Sequence, residues 1–275
     1  MTPLSNTKIF CIYHGNCADG FGAAWAVRHA LGDGVEFYAG SHGKLPPDCT
    51  GRDVVMVDFS YKRDVLLAIA VQAKSILILD HHISAQKDLV DLPQNITTVF
   101  DMDKSGAILA WEHFNEGEPP QLLKHIEDRD LWRFNIDGTR QVQAALFSYS
   151  FDFELWDKFI GDDISVLQSE GVAIERKQMK DVNSLIGAAA ARRTIAGFDV
   201  PTLNAPYMFS SDAGHIMGKN EPFAACYYET GTSRCFSLRS HPDGEDVSEI
   251  AVKYGGGGHK HAAGFKTKLD DEWPS

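Results

Sequence analysis

Along the first hundred residues the apolar positions gather into short unbroken runs, separated by polar turns and by stretches with helical spacing. Ile76 to Leu79 is a run of four aliphatic residues, Asp53 to Val57 is another such segment, and Lys8 to Tyr13 is a third. Runs of this length without alternation predict strands buried on both faces. Val35 to Ala39 and Asn95 to Phe100 predict two further strands. Between them, the small residues from Gly22 onward, the segment Arg63 to Lys74 and the segment through Trp111 and Phe114 predict helices. Leu122 to Ile126 predicts another, running into the charged cluster Glu127 to Trp132. Strand and helix alternating at these lengths predict an α/β fold with a doubly wound, mostly parallel sheet.

The pattern changes after residue 162. Residues 163 to 192 carry apolar positions at helical spacing (Val166, Leu167, Val172, Ile174, Met179, Val182), which predicts one long connecting helix. Beyond it, strands are predicted around Thr194 to Ala196 and Pro201 to Asn204, and a helix at Ala213 to Met217. A hairpin follows, Phe223 to Glu229 with Arg234 to Arg239, and then a helix from Asp246 to Tyr254. The expected organisation is therefore a catalytic domain over 1–162, the connecting helix over 163–192 and a smaller α/β domain over 193–275.

Composition excludes several classes. The chain has 275 residues, 44% of them hydrophobic and 23% charged, which suits a globular protein with a sizeable core. No apolar run approaches the roughly 18 residues of a membrane helix, and Met1 to Lys8 lacks the layout of a signal peptide. Five scattered cysteines form no CxxC pair, so neither a disulfide framework nor a zinc ribbon is expected, and a reducing cytoplasm is the expected setting. The formal charge is -12, of which residues from Arg193 onward account for -3. The acidity lies in the first part of the chain and argues against a basic track for long nucleic acid.

The strand ends carry the chemistry. The first run ends in His14 with Asp19 five residues on, the second in Asp58, and the third in Asp80-His81-His82. In an open α/β sheet, ligands bind outside the carboxyl ends of the strands. Any one of these residues is readily explained as a helix cap or a core histidine; all of them at equivalent strand ends are not. Mixed imidazole and carboxylate donors suit Mn²⁺ or Mg²⁺-like ions, with Zn²⁺ or Fe²⁺ as alternatives. Two such ions about 3.5–4 Å apart can orient a nucleophile for in-line attack and neutralise a phosphate. Asp58, on a middle strand, is the natural carboxylate to be shared between them. Ser105, at the start of a predicted helix, stands where free N–H groups face an anion. The run Gly255 to Gly258, followed by His259, suggests backbone closely approaching a ligand, and Arg239 is a candidate phosphate clamp.

These motifs resemble those of the DHH phosphoesterase superfamily, of the type carrying the DHH-associated C-terminal domain (nanoRNase or oligoribonuclease-like). Asp80-His81-His82 matches the name-giving motif; His14 to Gly20 and Asp58 in Val-Asp-Phe-Ser resemble the first two. Glu127 to Trp132 resembles the fourth, and Gly255 to Phe265 the glycine-rich motif of the C-terminal domain. The resemblance runs over nearly the whole chain. It implies two domains with a site in the cleft, two Mn²⁺ ions, and hydrolysis of phosphoesters or phosphoanhydrides. His14 and Asp80 would lie near the first ion, Asp58 would bridge, and Asp19, His81 and Asp128 would hold the second. His82 would face the phosphate, with Asp80 and His82 supporting proton handling. Arg239, Gly256, Gly257, Gly258 and His259 would hold the far end of a nucleotide. One departure stands out: the first motif of the family usually has another carboxylate between its His and its final Asp, where this chain has Gly15-Asn16-Cys17-Ala18. Asn16 and Cys17 are both candidates to replace it.

Within such a family the acidic surface and the Arg- and Gly-bearing C-terminal segment point to a phosphodiesterase acting on linear dinucleotides or very short oligoribonucleotides. A 3′-phosphatase acting on phosphoadenosine phosphate, a broader single-strand exonuclease, and a catalytically silent nucleotide-binding module are the alternatives. A short nucleotide is the expected partner, with neither long nucleic acid nor membrane; a homodimer is compatible with the sequence.

Overall fold

The computed structural model describes residues 9–275, which form two compact units, one ending at Glu175 and one beginning at Arg176. The first contains β1 (Phe10–His14), α1 (Ala18–Leu31), β2 (Glu36–Gly40), β3 (Asp53–Val57), α2 (Arg63–Gln72), β4 (Ser75–Asp80), α3 (Ile83–Asp88) and β5 (Ile96–Phe100). It continues through α4 (Gly106–Phe114), α5 (Gln121–Asp130), α6 (Thr139–Leu146), α7 (Phe153–Gly161) and the start of α8 (Ile164–Ala189). Lys8, which the apolar pattern places in the first strand, lies outside the described residues.

The five strands form one sheet in the order β2-β1-β3-β4-β5, and every pair is parallel. Alternate residues of the same strands feed two separate cores. Cys11, Val55, Val57 and Leu79 pack beneath α1, α4 and α5 with Phe21, Ala107 and Ile126. Phe10, Ile12, Val54, Met56, Ile76 and Ile78 pack on the other face with Leu66 and Ile69 of α2. Burial on both faces is why these strands read as unbroken apolar runs.

Strand order fixes where a site can form. From β1 the chain runs outward to β2, then returns past β1 to β3, β4 and β5 in the opposite direction. Successive crossovers therefore leave the sheet on opposite faces at the β1/β3 junction, which opens a crevice at the carboxyl ends of those strands. His14 closes β1, Asp58 follows β3 and Asp80 closes β4.

Helix α1 begins at Ala18 rather than near Gly22, because the glycines serve close packing instead of a loop. A Cβ at Gly20 would lie 2.3 Å from the carbonyl oxygen of His14, and one at Gly22 would lie 3.1 Å from Ala107 Cβ. The short α3, α6 and α7 have no counterpart among the predicted elements.

The second unit holds the rest of α8 and β6 (Ala191–Ile195), β7 (Phe198–Asn204), α9 (Ser210–Met217), β8 (Ala224–Glu229), β9 (Ser233–Arg239), α10 (Val247–Lys253), β10 (Gly257–His259) and β11 (Ala262–Lys268). The predicted connecting helix is thus observed as Ile164–Ala189, with strand resuming at Ala191. Its six strands run in the order β10-β11-β9-β8-β7-β6. Only β7 and β8, joined through α9, pair in parallel. Val247, Ile250 and Ala251 of α10 pack on one face with Phe236 and Phe265. Ala213 and Met217 of α9 join Val182 of α8 on the other.

Candidate metal centre

Three strand ends and two helices of the first unit deliver polar groups to one place. Asp58 stands just after β3 in left-handed backbone with φ of 53°, a conformation that Asp and Asn tolerate better than other residues bearing a Cβ. It is 1% exposed. Gly106, at the start of α4, lies so close that a Cβ there would sit 2.4 Å from Asp58 Cβ. Asp58 Oδ1 meets His81 Nε2 at 3.0 Å, and Oδ2 lies 3.4 Å from His14 Nδ1. Oδ2 is buried and has no hydrogen-bond partner.

Around His81 Nε2 the carboxylates converge. Asp58 Oδ1 is joined there by Asp19 Oδ2 at 3.4 Å and Asp130 Oδ2 at 3.6 Å. Three carboxylate oxygens from β3, α1 and α5 around one imidazole nitrogen form a donor arrangement suited to a divalent cation. Asp130 Oδ2 is likewise buried without a hydrogen bond. Asp19 is anchored behind this point by the amides of Gly106 at 2.6 Å and Ala107 at 2.9 Å. On the other side of Asp58, Asp80 Oδ1 accepts from the His81 amide at 2.8 Å and sits 2.6 Å from His82 Nδ1. Three sets of ligand atoms, each within 4.8 Å of one another, can be drawn here: His14, Cys17 and Asp58; Asp19, Asp58 and His81; Asp58, Asp80 and His82. Asp58 belongs to all of them, the position a shared carboxylate must occupy. Buried carboxylate oxygens without donors, surrounded by imidazoles, fit a divalent cation.

The electrostatics follow from burial. Desolvation opposes ionisation of Asp58, but the adjacent His14 and His81 imidazoles outweigh it and hold that carboxyl well below its usual range. Asp19 is pushed well above its usual range by burial and by the charges of Asp58 and Asp130. Burial opposes protonation of His14 and His81, yet Asp58 and Cys17 raise the first imidazole, and Asp58, Asp130 and Asp19 the second, well above the usual value.

Two sequence-based expectations need correction. Asp128 does not join the cluster. Its Oδ1 accepts from the Asn135 amide at 2.7 Å, and its Oδ2 accepts from the Ile136 amide at 3.1 Å and from Thr139 Oγ1 at 2.6 Å. The carboxylate thereby closes the turn after α5, where Trp132 and Phe134 both adopt left-handed backbone. Asp130 takes the place beside His81. Ser105 does not present an anion site to solvent: it is fully buried, and its Oγ caps α4 through the Ile108 amide at 3.3 Å. The amides of that helix end are taken by Asp19, so the anion held there is the protein's own carboxylate.

In the second unit, β10, β11 and β9 set His259, Ala262 and Arg239 in one row across the sheet. Residues directly opposite on paired strands share a face, so Arg239 and His259 flank the small Ala262 on one side. Gly256 and Gly258 are required by the hairpin: a Cβ on either would lie 2.1 Å and 2.6 Å from the backbone oxygens of Gly264 and Ala262. Arg239 donates to Leu238 O and to Ser211 Oγ.

His42 was not anticipated, because a lone His in a loop carries no spacing signal. Its ring lies 5.5 Å from that of His14 and 4.8 Å from that of Phe59. Burial and the neighbouring His14 and His82 lower it to about 4, so it stays neutral beside the acidic cluster.

No family model matches the chain. An uncharacterised protein of Acanthamoeba polyphaga mimivirus, R106, is 31% identical over 285 residues, covering 92% of this chain; the chain spans 66% of that relative's length. Solved structures of similar course include a pGpG-specific phosphodiesterase, PggH, from Vibrio cholerae, with 13% identity, TM-score 0.48 and coverage of 96% of this chain and 95% of that one. An exopolyphosphatase-related protein from Bacteroides fragilis has 15% identity and TM-score 0.48, covering 94% and 86%. RecJ from Thermus thermophilus, solved with Mn²⁺, has 15% identity and TM-score 0.49, covering 95% of this chain and 50% of that one. Among the described residues no helix is long and apolar enough to cross a membrane.

Proposed function

We propose that this chain is a DHH-type phosphodiesterase, dependent on two divalent cations (Mn²⁺ or Mg²⁺), that hydrolyses linear dinucleotides or very short oligoribonucleotides to mononucleotides. The observation that carries the proposal is Asp58: a buried carboxylate in left-handed backbone, common to all three donor sets at the β1/β3 switch point. Bound there, divalent cations would supply charge neutralisation for a phosphate and activation of the attacking water. His14, Asp19, Asp58, Asp80, His81 and Asp130 are the residues that would hold them. His82 is a candidate for the proton step. With its Nδ1 engaged by Asp80 Oδ1, its Nε2 is the atom that would exchange a proton with the phosphate or leaving group. Arg239 and His259, on one sheet face on either side of Ala262, are suited to a second phosphate or a terminal base. A short substrate also accords with a net charge of -12, which disfavours tracking along long strands.

The test is incubation of the purified protein with Mn²⁺ and a panel containing a 5′-phosphorylated diribonucleotide, a five-mer, a cyclic dinucleotide and phosphoadenosine phosphate. Selective conversion of the dinucleotide to mononucleotides, lost in Asp58→Ala, is the expected result. Faster cleavage of the five-mer, or release of inorganic phosphate from phosphoadenosine phosphate, would replace it with the exonuclease or phosphatase assignment. Bound metal with no turnover would leave a binding module.

A further inference from the structure

We propose that Cys17 is a metal ligand, and that with His14 and Asp58 it forms a sulfur-bearing position selective for a thiophilic divalent ion. The inference rests on reading the cluster as a metal centre and assigns one of its positions a different chemistry from the other.

Four observations carry it. First, the Cys17 sulfur, a His14 ring nitrogen and an Asp58 carboxylate oxygen all lie within 4.8 Å of one another. Donors around a tetrahedral ion, with bonds of about 2.0–2.3 Å, are spaced roughly 3.3–3.8 Å apart. The three need to close by only about an ångström to share one ion. Second, Cys17 occupies the N-cap position of α1 but makes no side-chain cap hydrogen bond. Its sulfur lies instead within 4.8 Å of a His14 ring nitrogen. Third, Asp58 Oδ2, buried with its residue 1% exposed, lacks any hydrogen-bond donor. A coordinated cation is the partner such an oxygen requires. Fourth, Asn16 is spent elsewhere: it sits exposed in left-handed backbone and makes the turn between β1 and α1.

The other cysteines offer no such arrangement. Cys11, Cys49, Cys226 and Cys235 are buried, and none belongs to a ligand set among the described residues.

The chemical consequence is an asymmetric pair. Asp19, Asp58, His81 and Asp130 provide oxygen and nitrogen only and suit Mn²⁺ or Mg²⁺. The position made by His14, Cys17 and Asp58 has nitrogen, sulfur and oxygen, a set that favours Zn²⁺, Co²⁺ or Fe²⁺ over hard ions. On binding, the thiol proton leaves to solvent and the thiolate donates a lone pair to the metal. Asp58 is the carboxylate common to both positions.

Cobalt titration of the ion-free protein tests this. Wild type should develop a near-ultraviolet sulfur-to-cobalt charge-transfer band with Co²⁺, and calorimetry should report binding at the same equivalence. In Cys17→Ser the band should vanish and Co²⁺ affinity should fall on the order of 10–100-fold or more, since even outer-shell partners of a metal ligand are worth that much. In Cys17→Asp, which restores a carboxylate, the band should vanish while Mn²⁺ binding is retained or strengthened, so that preference for Co²⁺ over Mn²⁺ falls. Calorimetric Co²⁺ binding without the band in wild type, or a band that survives in Cys17→Ser, would overturn the thiolate position and leave the metal centre standing. No binding of any divalent ion would overturn both. Circular dichroism of the two variants confirms that they are folded.

Discussion

At the scale of single residues, the centre depends on which of two neighbouring aspartates on α5 faces it. Two positions apart on a helix point to opposite sides, so Asp128 and Asp130 cannot both reach His81. The sequence marks both as polar and stops there, because the choice depends on which side of α5 packs inward. Leu122, His125 and Asp128 lie along one buried line of the helix, and Leu123 and Ile126, seven and four residues before Asp130, are buried along the other, which carries Asp130 to His81. The two aspartates should therefore separate cleanly by experiment. Asp130→Asn should weaken Mn²⁺ binding by about tenfold or more with little change in melting temperature. Asp128→Ala should leave metal affinity near wild type but destabilise the fold by roughly 2–4 kcal/mol, because it strands two amides and a hydroxyl in a closed turn. Calorimetry with Mn²⁺ and a thermal melt on each variant decide the matter; the reverse pattern would return the ligand role to Asp128. His14, Asp19, Asp58 and the Asp80-His81-His82 run were legible because each sits at the end of an apolar run or one turn beyond it. His42 was not, having only its fold-dependent nearness to Phe59 to reveal it.

At the scale of elements, the N-terminus of α4 holds the centre's geometry without itself contributing a ligand. Its first two amides grip Asp19, and its missing Cβ at Gly106 admits Asp58. Gly106→Ala should thus displace Asp58 and abolish Mn²⁺ binding while far-ultraviolet circular dichroism stays native; normal metal affinity in that variant would show that the contact can relax. A second element-level device is the chain from α5 to α6. Thr139 Oγ1 gives its proton to Asp128 Oδ2, so at 2.8 Å from His125 the hydroxyl oxygen accepts from Nδ1–H. Burial lowers the His125 imidazole below its usual value. In the range below about 6.5 the unfolded chain then binds more protons at this residue than the native state does. The contribution of His125 to stability is therefore present at neutral pH and falls as pH drops below that value. Melting temperature measured from pH 7 to 5 should decline less steeply in His125→Gln than in wild type; parallel curves would rule this titration out. Elements that the sequence hid have physical causes too. β10 and β11 are absent from the predicted elements because the hairpin demands glycine at 256 and 258, which removes the alternation that marks a strand. The all-parallel sheet was the opposite case, since double-sided burial writes itself as uninterrupted apolar runs.

At the scale of the whole molecule, removal and return of divalent ions should be visible in stability. Metal bound only by the native state adds about 2.7 kcal/mol at a free concentration one hundred times Kd, so Mn²⁺ should raise the melting temperature of chelator-treated wild type and leave Asp58→Ala unmoved. Equal shifts in both would place the ion elsewhere. The charge distribution of the ion-free cluster gives this a further meaning. The carboxyls of Asp58 and Asp80 are held below their usual range, whereas His14, His81 and Asp19 are raised above theirs. Loading divalent ions at these residues should therefore release protons, seen as acidification of a weakly buffered solution when Mn²⁺ is added to chelator-treated protein.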